Sequence, residues 1–509
     1  MPQPFRQVRR DGLTATARAR ADRVVAQVGP GSRVAAEGLS PIERAALEDV
    51  SPIAGPHKGI ALSPRTEPRP SLRGLRDALA ERRRVADLAA KLNALHSPSD
   101  SEPLVVVLAA VPIHLRLFES TLAELRLRGW RVVVVQLHPH TDLSEEARRV
   151  GAECIPLEPF LSHGDLPPRV SLERLRPNRI RGIVQDWART EGLAAYSPRV
   201  VESVAQELAD ALRFVAAYEA LAGALMPSAF LSVSEFYRGV EPIAVVGQRL
   251  GIPTIHVQHG NIPDFARTSD FRFDAFCVFG QAYAETLALL GTDRDRVHVT
   301  GSPFMDLVPP SPPPERVRGD EEAPFRILFV AGYASAMSSH ALLYETLSIA
   351  LGYAEAVPNT DLVVKFHPAV SSGPAVAGYD IALAEHPDAQ ATILRHGDTH
   401  RLVSECDCVV THGSSVAIEA AWMRKPVVLL NPLGAEARFP LVSEGTALSA
   451  ANAAEFTDCM SRVRSGPVIR AEAYDSVQMR YGFVADRCAG HRIADVCEAL
   501  AAERRWRER

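Results

Sequence analysis

The stretch CVVTHGSSVAIEAAWMRKPVVLLNP (408–432) decides the fold. Cys408–Thr411 reads as a buried strand that ends at His412, and Gly413-Ser414-Ser415 turns the chain. Val416–Met423 has helical character, and Lys425-Pro426 stops it before a second apolar run, Val427–Asn431. A strand, a tight turn, a helix and another near-continuous apolar strand imply a parallel sheet covered on both faces. Ligands of such open sheets lie beyond the carboxyl ends of the strands, so the turn carries the chemistry. Ser415, or Ser414, is suited to cap the helix. Free amides and the positive end of the helix then make an anion site, with one or two hydroxyls added. Glu419, one turn further, reaches toward a sugar hydroxyl. Read plainly, Gly-Ser-Ser is a cap and a turn and nothing more.

The same alternation extends in both directions. Upstream in the same half are RILFVAG (326–332) and DLVVKFH (361–367), with helices expected around 340–356, 398–405 and 415–423. A final helical stretch runs from about Ile469 to Arg505. Before them, VPPSPPPERVRGDEEAP (308–324) breaks the rhythm, with five prolines among residues 309–314, and reads as a stiff linker. Ahead of the linker lie LVVVLAAV (104–111), WRVVVVQL (130–137), AECIPL (152–157), AFLSVSE (229–235), TIHVQH (254–259), AFCVFG (275–280) and VHVTGS (297–302). A helix over 115–128 and a long one over 199–225 separate some of these runs. The expected organisation is an extension over 1–100, a Rossmann-like domain over 101–307, the linker over 308–324, a second Rossmann-like domain over 325–475, and a terminal helix over 476–509. The fold class is therefore α/β, two doubly wound domains facing a cleft, with a helical or irregular N-terminal extension.

Composition bounds the function. The 509 residues are 47% hydrophobic and 23% charged, which excludes a disordered, collagen-like or coiled-coil chain. A net charge of -5 gives no reason to expect a nucleic-acid partner. No apolar run reaches the roughly 20 residues of a spanning helix, and MPQPFRQVRRDG lacks the apolar core of a secretory signal. Seven dispersed cysteines suggest reduced thiols, so a cytoplasmic location is expected. The first hundred residues hold 17 Lys+Arg against 11 Asp+Glu, so they carry +6 and the remainder -11. Ser71–His96 has apolar residues at helical spacing, and Arg82-Arg83-Arg84 on it is a solvated face or a contact for an anionic partner. Protein docking, or peripheral attachment at the inner face of a membrane, fits this extension, as does plain disorder.

Four further strand ends carry candidate chemistry. In DLVVKFHP (361–368) the strand delivers His367, able to donate to a phosphate or protonate a leaving group, with Lys365 beside it. In IPTIHVQHGNIPD (252–264), His259 is a candidate base for an acceptor hydroxyl, Gly260 permits a sharp turn, and His256 is structural. Asp264 and Glu235 are weaker candidates for the base or its orientation. In VHVTGSPFMD (297–306), Gly301 and Ser302 stand where a hinge is expected. In AGYAS (331–335), Gly332 and Ser335 are placed to approach a diphosphate. His412, Gly413, Ser414, Ser415 and Glu419 complete the donor set. No Walker A sequence, HExxH or paired CxxC frame is present. Asp293-Arg294-Asp295 has the spacing of a metal-binding DxD but reads as a solvated turn.

Taken together these segments resemble the GT-B superfamily of nucleotide-sugar enzymes over about 229–500. The sequence is similar to bacterial surface and capsular polysaccharide glycosyltransferases and to CDP-glycerol glycerophosphotransferases. In such sequences a His-Gly (His259-Gly260) faces the acceptor, while a His-Pro (His367-Pro368) and a serine pair (Ser414-Ser415) hold the nucleotide phosphates. The combination looks like that of transferases using CMP- or CDP-linked donors. VTGSPFMD and THGSSVAIEA also look like segments of non-hydrolysing UDP-N-acetylglucosamine 2-epimerases, which usually show a Gly pair in place of Ser414-Ser415. The resemblance implies a transferase moving a sugar or alditol phosphate from a CMP-, CDP- or UDP-linked donor to a hydroxyl of a glycan or glycoconjugate. Neither a metal nor a cofactor is expected. A UDP-sugar epimerase and a non-catalytic nucleotide-sugar-binding protein are the alternatives. The final helix is expected to pack back on the first domain.

Overall fold

The computed structural model describes residues 102–138, 141–162, 182, 184–185, 198–233, 239–260, 272–308, 323–332, 339–367, 376–395, 397–432, 434, 441–482 and 486–507. The expected helix over 71–96, most of the Pro-rich segment, and Glu235, Asp264, Ser335 and Pro368 lie outside the described residues.

The chain divides into two compact units. Unit 1 takes Met1–Val278, Thr286–Phe304 and Cys488–Arg509, and unit 2 takes Phe279–Glu285 and Met305–Arg487. Unit 1 holds β1 (Leu104–Ala109), β2 (Arg131–Gln136), β3 (Glu153–Pro156), β4 (Ala229–Val233), β5 (Thr254–Val257), β6 (Ala275–Val278) and β7 (Val297–Val299), all parallel, in the order β3-β2-β1-β4-β5-β6-β7. Its connections carry α1 (Pro112–Leu127), α2 (Ser144–Arg149), α3 (Glu158–Ser162), α4 (Pro198–Leu225) and α5 (Pro242–Leu250), while α6 (Gln281–Leu289) starts in unit 2 and ends in unit 1, and α7 (Pro303–Asp306) starts in unit 1 and ends in unit 2. The six residues of β1 are all buried, as a strand covered on both faces requires. α1 begins at Pro112, whose fixed φ and missing N–H suit a first helical position. α5 ends at Gly251, left-handed at φ 71°, whose N–H bonds the Gly247 carbonyl.

Unit 2 holds β8 (Phe325–Val330), β9 (Thr360–Lys365), β10 (Ala391–Leu394), β11 (Cys408–Thr411), β12 (Val427–Leu430) and β13 (Leu448–Ala450), again all parallel, in the order β10-β9-β8-β11-β12-β13. Its helices are α8 (His340–Ala356), α9 (Ala377–Glu385), α10 (Thr399–Glu405), α11 (Val416–Trp422), α12 (Ala453–Ser465) and α13 (Ala471–Val477). One core face gathers Phe329, Phe366 and Tyr379, whose rings meet edge to face at 6.0 and 5.6 Å. Each such fully buried side chain contributes about 1.5–3 kcal/mol relative to exposure.

In both units the strand order reverses beside the first strand, between β1 and β4 and between β8 and β11. Those are the topological switch points where open sheets bind ligands.

The expected single helix over 469–505 is broken. α13 gives way to one wider turn over Gln478–Gly482, and the chain restarts as α14 (Ala489–Arg507), which belongs to unit 1. The wider turn buries Tyr481 against Tyr283 at 5.8 Å and brings Gly482 so close to the Trp422 indole that a Cβ there would collide. α14 packs on α1 through Ile493, Ala494, Cys497 and Ala501, one face at helical spacing. Arg128 fastens it, pairing with Asp495 at 2.7 Å and Glu498 at 2.9 Å while also holding Glu124 at 2.8 Å.

Candidate functional site

The strand register of unit 2 assembles the site. Lys365 pairs with Val330, Val330 with Thr411, and Thr411 with Leu429. Two residues beyond that layer come His367, Gly332, Gly413 and Asn431, all at the carboxyl edge and flanking the switch point. With neighbouring strands about 4.8 Å apart, β9 and β11 lie roughly 10 Å apart across β8.

The turn after β11 is held from within. Thr411 Oγ1 donates to the Val330 carbonyl at 2.9 Å and accepts the Ser414 N–H at 3.3 Å. Ser414 Oγ accepts the Val416 N–H at 3.3 Å. Ser415 is itself helical, at φ -59° and ψ -22°, and makes no side-chain cap bond. Of the two serines offered as the cap, Ser414 makes the capping bond, because Ser415 has already entered the helix. His412 Nδ1 lies 3.0 Å from the Leu430 carbonyl, which orients the ring beside β12.

Lys365 is buried, with its Nζ donating to the Phe366 carbonyl at 2.8 Å. Burial pushes its ammonium pKa down. His367 is exposed at the end of β9, and the protein around it, followed by the nearby Lys365 charge, holds its imidazole below the ordinary histidine range. A neutral imidazole beside a buried ammonium is poised to become cationic when an anion arrives. Gly332 points its N–H at the buried Tyr379 hydroxyl, 3.0 Å away. That amide is thus occupied by the hydroxyl. Glu419 is also engaged: one carboxylate oxygen lies 2.8 Å from His400 Nε2, and both side chains are largely buried. Nothing in the sequence singled out His400, which lies in the first turn of α10 and reaches Glu419 only through the packing of α10 on α11.

In unit 1, His259 is half-buried just beyond β5. Gln258 Nε2 donates to the Gly260 carbonyl at 2.6 Å and closes the turn. His256 is packed against Phe273 and Phe276, a structural position. His114, in the first turn of α1, lies with its ring 5.2 Å from that of His259 and nearly perpendicular to it. Gly301 adopts φ 90°, open mainly to glycine. Ser302 is 1% exposed, and its hydroxyl is enclosed in the turn after β7. Asp293 caps the short turn over Arg294–Arg296 by accepting the Asp295 N–H. Among the described residues, no three His, Cys, Asp or Glu side chains are grouped to hold a metal ion, and no helix is long and apolar enough to cross a membrane.

Residues 333–433 match a family described as "Capsule polysaccharide biosynthesis protein". No curated protein matches the chain in sequence. Among solved structures, the UDP-GlcNAc 2-epimerase from Neisseria meningitidis, bound to UDP-GlcNAc, is similar with a TM-score of 0.51 and 13% identity, over 77% of this chain and 98% of that one. A glycosyltransferase from Rickettsia africae scores 0.45 at 12% identity, over 79% and 99%. The wall teichoic acid polymerase TagF scores 0.46 at 12% identity, over 86% and 99%. At these identities the likeness concerns the fold. The 0.51 likeness and the two reversed-order parallel sheets give the chain an α/β fold of the GT-B type.

Proposed function

We propose that this chain is a GT-B transferase of capsule or related surface-polysaccharide synthesis. It moves a sugar or alditol phosphate from a CMP-, CDP- or UDP-linked donor to a hydroxyl of a glycan or glycoconjugate. One observation carries the reading. His367 and the Gly413–Ser415 turn share a register layer at the switch point of unit 2, inside the segment that matches the capsule family.

In this reading unit 2 binds the donor and unit 1 carries the base. His259 takes the proton from the acceptor hydroxyl as its oxygen attacks the transferred group. The bond to the nucleotide phosphate breaks, and its electron pair leaves with the phosphate. The amides of Gly413 and Ser415, the Ser415 hydroxyl and His367 receive that growing charge. Fixed donors of this kind contribute a few kcal/mol each to a transition state. Glu419, held by His400 through one oxygen, accepts a hydroxyl of the donor with the other. The reaction proceeds without a metal ion, so chelation with EDTA leaves turnover unchanged.

Thermal unfolding with CMP, CDP, UDP, GDP and dTDP tests the donor side. At a hundred times its Kd a nucleotide stabilises by about 2.7 kcal/mol, a rise of roughly 5–11 °C in Tm for a unit of this size. One pyrimidine nucleotide is expected to give that rise, and His367→Ala and Ser415→Ala to abolish it. No shift with any nucleotide, or an undiminished shift in both variants, overturns the reading. Conversion of a UDP-sugar without any acceptor would point to the epimerase instead.

A further inference from the structure

His114 is a buried titratable group, 1% exposed, at the switch point of unit 1. β1 ends at Ala109, and the Ala110 N–H donates to His114 Nδ1 at 3.2 Å. A backbone N–H can only donate, so Nδ1 is the unprotonated nitrogen and the ring proton resides on Nε2. The ring also lies in the first turn of a 16-residue helix, whose positive end opposes a cation. The register Leu108–Ser232 and Val233–Val257 sets the end of β1 two strands from the end of β5. Across that gap the His114 ring meets His259 at 5.2 Å with an interplanar angle of 70°.

We propose that His114 is a positioning residue for His259: a permanently neutral imidazole, locked as the Nε2-protonated tautomer, that sets the plane of the His259 ring and leaves the titrating proton of the pair to His259. Two neighbouring imidazoles cannot both be charged at little cost, and their environments decide which one titrates. Burial, followed by the charges of His259 and His138, lowers the His114 value to about 3, which agrees with the geometry. The proposal rests on the reading of His259 as the base, while the lock itself is measurable without substrate.

The test uses the full chain labelled with 15N-histidine, the two ring signals being assigned from His114→Asn and His259→Asn. From about pH 5 to about pH 8, His114 is expected to keep the pattern of a neutral, Nε2-protonated ring while His259 titrates. In His114→Phe, which keeps a flat ring but loses the Nδ1 acceptor, the His259 midpoint is expected to move by roughly 0.5 pH unit or more. In His114→Asn, whose amide oxygen again accepts the Ala110 N–H, part of that displacement is recovered. Titration of His114 in this range, protonation at its Nδ1, or an unchanged His259 midpoint in both variants overturns the proposal. The wild-type tautomer decides it even if a variant fails to fold. Should the nucleotide series fail while the lock holds, the transferase reading falls and the His114–His259 pair stands.

Discussion

At the β11 turn two adjacent serines have separable tasks. Ser414 spends its hydroxyl on the Val416 amide, whereas Ser415 makes no cap bond. Ser414→Ala is therefore expected to cost about 1 kcal/mol in urea unfolding, and Ser415→Ala no more than about 0.5 kcal/mol. If Ser415 serves the nucleotide, its variant loses affinity at nearly full stability. His367 predicts a pH dependence. Its folded value lies below the ordinary range, and a bound phosphate favours the cation. Binding thus takes up a proton, and nucleotide affinity rises as pH falls from neutrality toward the free value of His367. Calorimetry in buffers of different ionisation enthalpy is expected to detect this uptake, and His367→Asn to remove it. His114 acts on stability with the opposite dependence. Its value is about 3 in the folded chain against 6.5 when unfolded, so the unfolded state binds more protons between those limits. Stability is lost as pH falls from about 6.5 toward about 3, and His114→Asn flattens that slope in urea titrations. His367 and the serine pair were legible in the sequence because each directly follows an apolar strand. His114 and His400 were not, since each acts through a partner that only tertiary packing brings near.

At the scale of elements, long buried strands declare themselves and short edge strands do not. β1, β2, β8 and β9 are runs of Val, Leu, Ile and Phe, as strands covered on both faces must be. β10 escaped because Thr392 and Ile393 are exposed at the sheet edge, leaving no apolar run to see. β13 has three residues and borrows its definition from β12. The break after α13 was equally hidden, because it answers to Trp422 and Tyr283 rather than to a local proline or charge. Helix contacts also set a limit on side-chain size. Gly378 in α9 lies so near the His340 carbonyl and Leu343 of α8 that an added methyl group must displace backbone. Gly378→Ala is expected to destabilise unit 2 by about 1–3 kcal/mol, measured as a lowered midpoint in urea.

For the whole molecule, the decisive feature is that the chain crosses between its units repeatedly. Phe279–Glu285 belongs to unit 2 although both its flanks belong to unit 1, and α14 returns to unit 1. α14 approaches α1 through Gly490, where a Cβ would stand 2.6 Å from Ser120 Oγ and 2.7 Å from the Thr121 amide. Gly490→Val is expected to lift the helix from α1 and lower the Tm of unit 1. Binding of a nucleotide to unit 2 is expected to persist in that variant.

The return of α14 also orders events on the ribosome. α1 emerges early, yet its partner face is made only after all of unit 2 has been translated. At about 5–20 residues per second that delay lasts roughly 20–75 s. Unit 2 can close while unit 1 still waits with the side of α1 that carries Ser120, Thr121, Glu124 and Arg128 uncovered. The nascent chain therefore completes its second half first, and chaperone demand should peak on the half that was synthesised earlier.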